Sequence, residues 1–272
     1  MKIILTTYGE TGLAAIEALK DFDVITMENE PIKHLESLID THKPDAVVMS
    51  SYSRIIPQRV LDKCLFINVH HGDLPRYRGR ANINWAIINN RCAIGLTVHN
   101  AVSDLDAGNI YHQEMFNISN DDTCATVYNR FNEFIVNNLS NIVTNVLKGY
   151  KGVPQNNDLA TYTCTRTPED GLIDWTNDAF KIDCLIRGVT KPFPGAFTYY
   201  KGKKLIIWDC GLDSKRKYVG SVPGRVGLIH SNGVDILTGH KQSLTIKKVN
   251  YDGNETSANN VIQSISDTLK GN

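Results

Sequence analysis

No two cysteines in this chain are spaced C-x-x-C. The six stand singly at positions 64, 92, 124, 164, 184 and 210, which gives no support to a zinc ribbon or a thioredoxin-type redox centre. No uninterrupted apolar run approaches membrane-spanning length. The opening M-K-I-I-L-T-T-Y-G turns polar too quickly for a signal-peptide core. Scattered thiols without such a leader lead us to expect a reducing cytoplasm and no membrane partner. Charge of either sign is also not in excess. With 29 basic and 29 acidic residues the formal net charge is zero, which argues against a protein built to hold long nucleic acid. The local balance is less even, because residues 201–272 carry 11 Lys and Arg against 6 Asp and Glu. That excess reads as a solvated surface or as a site for phosphates.

What is present is an alternation of short apolar runs with helical spacing. Residues 2–7, 23–27, 45–50 and 65–69 read as strands. Between them, Leu13, Ile16 and Leu19 recur three apart, with Ala15 four before Leu19. Leu35, Leu38 and Ile39 share one side of a second helix. This alternation predicts an α/β fold, a Rossmann-like, doubly wound and mostly parallel sheet, with function at the carboxyl ends of its strands. Residues 80–89 read as a helix, 94–102 and 110–118 as a strand pair, and 124–147 as a long helix capped by N-D-D-T. Residues 149–157 read as a linker. After K-P-F-P-G at 191–195 the pattern becomes five short strands separated by turn residues. The expected organisation is a catalytic domain over 1–190, including a linker at 149–165 and a helix at 179–189, followed by a small, mostly β domain over 191–272.

The chemistry is concentrated in F-I-N-V-H-H-G-D-L-P-R-Y-R-G-R, residues 66–80. Residues two apart on a strand face the same side, so Asn68 and His70 project together at a strand's end. An amide donor beside a group that accepts a proton near neutrality is what an acyl-transfer centre needs. The structural alternative is a histidine satisfied in the core. The loop S-D-L-D-A-G, residues 103–108, reads alone as a turn. Arg76, Arg78 and Arg80 suit phosphate or carboxylate, or else a solvated loop. His70-His71-Gly72-Asp73 lacks a third ligand at helical spacing, so no metal is expected.

These motifs in combination, N-x-H, then L-P-R-Y-R-G-R-A-N-I-N-W, then G-L-T-V-H, then D-L-D-A-G-N-I, resemble the folate-dependent formyltransferase family. The resemblance covers roughly residues 2–200 and, weakly, the β tail. It implies Asn68, His70 and Asp106 as the catalytic residues, and N10-formyltetrahydrofolate as co-substrate. It implies Ile55, Ile56 and Asp104 as folate-pocket neighbours. R-T-P-E-D-G-L-I-D-W and K-P-F-P-G-A-F-T-Y-Y add a similarity to formyltransferase domains acting on UDP-4-amino-4-deoxy-arabinose. The decarboxylase half of that bifunctional enzyme has no counterpart here, so a stand-alone enzyme acting on a UDP- or dTDP-linked amino sugar for a surface glycan such as lipopolysaccharide is expected. Arg76, Tyr77, Arg78, Arg80 and Phe193 are the substrate-binding candidates. Phe193 is preferred over Tyr199 and Trp208 for stacking on a base because it lies between prolines. The resemblance further implies a homodimer through the C-terminal region. Alternative readings are a methionyl-tRNA formyltransferase, a formyl-folate hydrolase, and a non-catalytic nucleotide-sugar-binding module. The segment M-E-N-E-P-I, residues 27–32, is short and acidic where the tRNA enzymes insert a basic loop, which counts against nucleic acid.

Overall fold

The computed structural model describes residues 1–212 and 216–270. By contacts the chain divides into two compact units. The first comprises residues 1–83, 92–118 and 126–165, and the second comprises 84–91, 119–125 and 166–272.

The first unit is built on a six-stranded sheet. Its strands are β1 (Lys2–Thr6), β2 (Asp23–Met27), β3 (Ala46–Ser50), β4 (Leu65–His70), β6 (Ala93–Asn100) and β7 (Ile110–Asn117), in the order β2-β1-β3-β4-β6-β7. The first four pair in parallel, and β6 and β7 close the edge antiparallel. Two-residue β5 (Arg78–Gly79) and β8 (Tyr162–Thr163) pair in parallel beside it. Helices α1 (Gly9–Ala18), α2 (Ile32–His42) and α3 (Gln58–Leu61) make the crossovers between the parallel strands, and α4 (Asn82–Ile88), most of which falls in the second unit, precedes β6. The long α5 (Cys124–Leu147) buries Val127, Phe131, Ile135 and Leu139, as its spacing predicts. β3 is buried at every position, as a strand covered on both faces must be.

One helix keeps only half of its predicted face, with Ala15 and Leu19 fully buried but Leu13 and Ile16 turned out. In α1, Leu13 is 66% and Ile16 38% exposed, while Thr11, Gly12, Ala14, Ala15 and Ala18 are buried. The cause is a close approach. A Cβ on Gly12 would come within 2.8 Å of the Thr7 Cβ, so only small residues fit against the sheet there.

The second unit holds an antiparallel sheet of β9 (Ala196–Tyr200), β10 (Lys203–Gly211), β11 (Val226–His230), β12 (Gly233–Leu237) and β13 (Ser243–Tyr251), in the order β11-β12-β13-β10-β9. The short β14 (Asn254–Ser257) pairs with β13. Helix α6 (Ala179–Val189) places Ala179, Ile182, Ile186 and Val189 in one core with Leu205, Ile207, Ile236 and Ile246 of the sheet. α6, counted from sequence with residues 1–190, thus shares its core with the strands that follow it. The last helix, α7 (Ala258–Val261), packs its Ala258 into the same core.

Candidate active site

The cross-strand register assembles the centre. β4 and β6 pair antiparallel with Asn68 opposite His99 and His70 opposite Thr97. Directly opposed residues share a face, so Asn68, His70, Thr97 and His99 all lie on one side of the sheet. This side opens into a cavity of about 710 Å³ whose lining includes Asn68, His70, His99, Asp106, Arg80 and Thr163. The loop after β4 is tied down behind them. The Thr97 hydroxyl donates to the Gly72 carbonyl at 2.6 Å, and the Gln113 amide donates to the Leu74 carbonyl at 2.9 Å.

Hydrogen-bond direction fixes much of the protonation. Nδ1 of His99 lies 2.7 Å from the Asn100 carbonyl. A carbonyl only accepts, so Nδ1 carries the hydrogen. Nε2 of His99 is then the acceptor for the Asn68 amide N–H at 3.0 Å. Burial, then the neighbouring His70, pushes the His99 pKa down to about 4, against an upward pull from Asp106. The ring is therefore neutral at pH 7, and Asn68 is held with its NH2 group toward it. Nε2 of His70 lies 2.7 Å from the Tyr77 carbonyl and 3.1 Å from the Asn82 amide nitrogen. Both cannot be bonded as drawn. The carbonyl cannot be turned whereas an amide can, so His70 donates to Tyr77. Nδ1 of His70 then faces the Asp106 carboxylate at 3.6 Å, an ion-pair distance beyond hydrogen-bond length.

Asp106 sits at φ +50°, a left-handed conformation that Asp tolerates better than most residues. Two contacts hold it there. Its Oδ2 accepts the Gly79 N–H at 2.8 Å, and its backbone carbonyl accepts the Gln155 amide at 2.7 Å. The same Gln155 amide reaches the Gly108 carbonyl at 2.7 Å. Gly108 is required by space, since a Cβ there would lie 1.9 Å from the Asn100 carbonyl oxygen. Gly79 is required by both φ, at +102°, and by the Thr163 carbonyl 2.3 Å from a would-be Cβ.

His71, next to His70 on the chain, also borders the cavity but is held among aromatic rings. Its ring packs edge-on to Tyr128 at 5.3 Å and tilted on Phe131 at 5.5 Å. Burial first, then the charge of His70, lowers its pKa to about 3, so it acts as a neutral aromatic.

Residues 17–143 match the formyl transferase family, and residues 166–266 match the formyl transferase C-terminal domain. Methionyl-tRNA formyltransferase of Acetivibrio thermocellus is 32% identical over 222 residues, which span 79% of this chain and 70% of that one. The chain belongs to the formyltransferase family. A second relative, the bifunctional polymyxin resistance protein ArnA of Wigglesworthia glossinidia brevipalpis, is 34% identical over 212 residues, 77% of this formyltransferase chain and 32% of ArnA. Among solved structures, HypX from Aquifex aeolicus in complex with tetrahydrofolic acid superposes with TM-score 0.77 at 20% identity, over all of this chain and 48% of HypX. The N-formyltransferase from Helicobacter canadensis, in complex with folinic acid and dTDP-3-aminofucose, has TM-score 0.63 at 18% identity, over 90% of this chain and 98% of that one. The chain thus spans about a third of ArnA and half of HypX. At these identities the two structural likenesses are of fold.

Against this formyltransferase fold, the residues expected from sequence divide clearly. Asn68, His70 and Asp106 meet at one cavity. Ile55 and Ile56 both line it, Ile55 at 78% exposure and Ile56 buried. Asp104 is exposed and outside the lining, its carbonyl taking the Ala107 N–H. Of the three arginines, only Arg80 lines the cavity, and its guanidinium donates to the Ser53 carbonyl. Arg76 is half exposed, 4.0 Å from Asp73 and outside the lining. Arg78 is a correction. It is buried, and its guanidinium is occupied by Gln155 at 2.7 Å, Asn157 at 2.7 Å and the Tyr162 hydroxyl at 3.3 Å. It clamps the wall instead of facing a ligand. Tyr77 is buried too, and serves through its carbonyl on His70. Phe193 is half-buried in the second unit and is not part of this lining.

Sequence reasoning missed Gln155, Asn82, Thr163 and the role of His99. The predicted linker is in fact a wall. Val153 bridges to Ile110, Gln155 holds Asp106, Asn157 holds Arg78, and Thr163, Cys164 and Thr165 line the cavity. The one available signal was G-L-T-V-H itself, where Thr97 and His99 alternate with apolar neighbours on a buried strand.

Proposed function

We propose that this chain transfers the formyl group of N10-formyltetrahydrofolate to the amine of a nucleotide-linked amino sugar. The observation that carries this reading is the convergence of Asn68, His70 and Asp106 on one cavity in a member of the formyltransferase family. The amine attacks the formyl carbon, and the carbonyl becomes an oxyanion. Asn68 gives one N–H to His99 and turns the other toward the oxyanion. His70, with Nδ1 facing Asp106, and Asp106 take the proton released from the attacking nitrogen. Collapse of the oxyanion breaks the bond to N10, and the proton taken by His70 and Asp106 passes to that nitrogen as tetrahydrofolate leaves. Exposed Ile55, Val102 and Leu105 offer the apolar wall that a flat pterin needs. Arg80, which lines this cavity beside Arg54, is the candidate for the acceptor's phosphates. Tetrahydrofolic acid in HypX and the folinic acid and dTDP-3-aminofucose of the Helicobacter enzyme support co-substrate and acceptor class. We place the reaction in the cytoplasm, upstream of a surface glycan, and the enzyme as a homodimer.

One observation favours a second acceptor, Met-tRNA. It is the 32% identity to a methionyl-tRNA formyltransferase. Against it stands the short β2–α2 connection, whose Glu30 carbonyl accepts the Tyr52 hydroxyl and the Arg54 guanidinium, both at 2.9 Å. That connection is engaged in holding the cavity wall. The deciding experiment follows tetrahydrofolate release with UDP- and dTDP-linked 3-amino and 4-amino sugars, Met-tRNA and a no-amine control. Turnover with one sugar is expected. Turnover with Met-tRNA alone, or without any amine, removes the sugar reading.

A further inference from the structure

We propose that His70, His99 and Asp106 form a binding site for a divalent transition ion such as Zn2+, and that the ion-occupied centre does not transfer formyl groups. The argument starts from which ring nitrogens carry hydrogen. The Tyr77 carbonyl takes the Nε2 hydrogen of His70 at 2.7 Å, and the Asn100 carbonyl takes the Nδ1 hydrogen of His99 at 2.7 Å. In the neutral rings the remaining nitrogens, Nδ1 of His70 and Nε2 of His99, present lone pairs. Both lie near the same carboxylate, at 3.6 Å from Oδ2 and 3.7 Å from Oδ1 of Asp106, Nε2 of His99 while it accepts the Asn68 N–H. One donor atom from each of the three residues lies within 4.8 Å of the others. Two imidazole nitrogens beside a carboxylate leave a place for positive charge once the Asn68 amide turns aside, and a metal ion can fill it.

The surroundings are those of an ion site. Imidazoles that bind metal nearly always fix their other N–H on a carbonyl or carboxylate, which sets the tautomer. Here both do so on backbone carbonyls. Two imidazoles and a carboxylate select a transition ion over Mg2+ or Ca2+, which take oxygen ligands. His70 and His99 are buried, and the adjoining cavity leaves coordination positions open to water. The Asn68 amide, 3.0 Å from Nε2 of His99, must turn away for the ion to enter, so binding also removes the oxyanion donor. The inhibitory half of the proposal rests on formyl transfer being the reaction. The binding half does not.

The whole chain is titrated with Co2+ and its visible d–d absorption recorded. Saturation at one ion per chain, displacement by Zn2+, and loss of the bands in both His99→Gln and Asp106→Asn are expected. Cys164→Ser, which removes an exposed thiol from the same cavity, and His230→Gln, which removes a histidine of the second unit, keep the bands. Circular dichroism confirms that each variant is folded. No bands in the wild type, or bands that persist in both His99→Gln and Asp106→Asn, overturn the site. In the transfer assay Zn2+ inhibits and EDTA restores activity. His99→Gln weakens that inhibition by more than about tenfold, the lower end for loss of even an outer-shell partner. Equal inhibition of wild type and His99→Gln overturns the inhibitory claim. If the wild type transfers formyl to no acceptor, the functional reading fails while the Co2+ spectrum still decides the ion site.

Discussion

Each unit of this molecule holds a histidine–aspartate pair, and the two pairs have opposite fates. In the second unit Asp235 accepts the Thr245 hydroxyl at 2.6 Å and His230 at 3.2 Å, between strands β11, β12 and β13. Two other polar side chains there close on protein too, Trp175 on Thr198 at 3.0 Å and Tyr200 on Asp267 at 2.6 Å. In the first unit His70 and Asp106 stand 3.6 Å apart at the edge of a cavity. A polar network that closes on itself rigidifies a core. One left open toward a cavity keeps the capacity to bind or move a proton. The difference lies in the elements. The second sheet takes its pair from adjacent strands, whereas the first takes Asp106 from the turn between β6 and β7.

The comparison can be broken most sharply by exchanging which property each pair controls. His70→Ala and Asp106→Asn are expected to lower kcat for formyl transfer by ~10²–10⁴-fold, the range for a lost general acid or base, with little change in the denaturation midpoint. Asp235→Ala is expected to do the reverse, costing about 1–3 kcal/mol of stability by leaving the Thr245 hydroxyl and the His230 ring without their acceptor and leaving kcat intact. Equal activity losses in both units would dissolve the distinction. Asn68→Ala comes next, with ~10²–10³-fold off kcat, as for one oxyanion donor, and a smaller effect on KM.

Gln155→Ala tests whether the aim of Asp106 matters separately from its chemistry. Losing the bond to the Asp106 carbonyl is expected to lower kcat by up to ~10²-fold, the effect of a misplacement of about 1 Å. An unchanged kcat would show that Gly79 alone fixes the carboxylate.

A separate effect is on acid stability. His71 and His99 have folded pKa values lowered to about 3 and about 4 from 6.5. The unfolded chain therefore binds their protons first as pH falls. Their contribution to stability is complete above about pH 6.5, declines as pH drops toward 4 and then 3, and levels off below. Each histidine adds about 1.4 kcal/mol per pH unit within its window. Replacing His71 with Phe, which keeps the packing on Tyr128 and Phe131, should flatten the slope of stability against pH between 6 and 4. An identical slope would place the proton uptake elsewhere.

The sheet of the first unit, the long helix and the five strands expected after residue 195 were legible because each repeats a period. Asn68 and His70 were legible because two-residue spacing on a strand is a geometric statement. Arg78 was not, since a guanidinium reads the same whether it meets a phosphate or Gln155. On α1, spacing placed Ala15 and Leu19 correctly but not Leu13 and Ile16, because the 2.8 Å approach at Gly12 favours small residues over large. Residues 149–165 have no period at all. Their partners, Ile110, Asp106 and Arg78, lie roughly 40 to 80 positions back along the chain, and nothing local marks them.

That wall has a consequence for the order of assembly. The strands that carry Asn68, His70 and His99 are complete by residue 117. The side chain that aims Asp106 is residue 155, and the strand that pairs with Gly79 ends at 163. A chain made from its N-terminus can therefore close its sheet before its carboxylate has a direction. The last turn of the first unit to be synthesised is the one that makes a sheet edge into a centre.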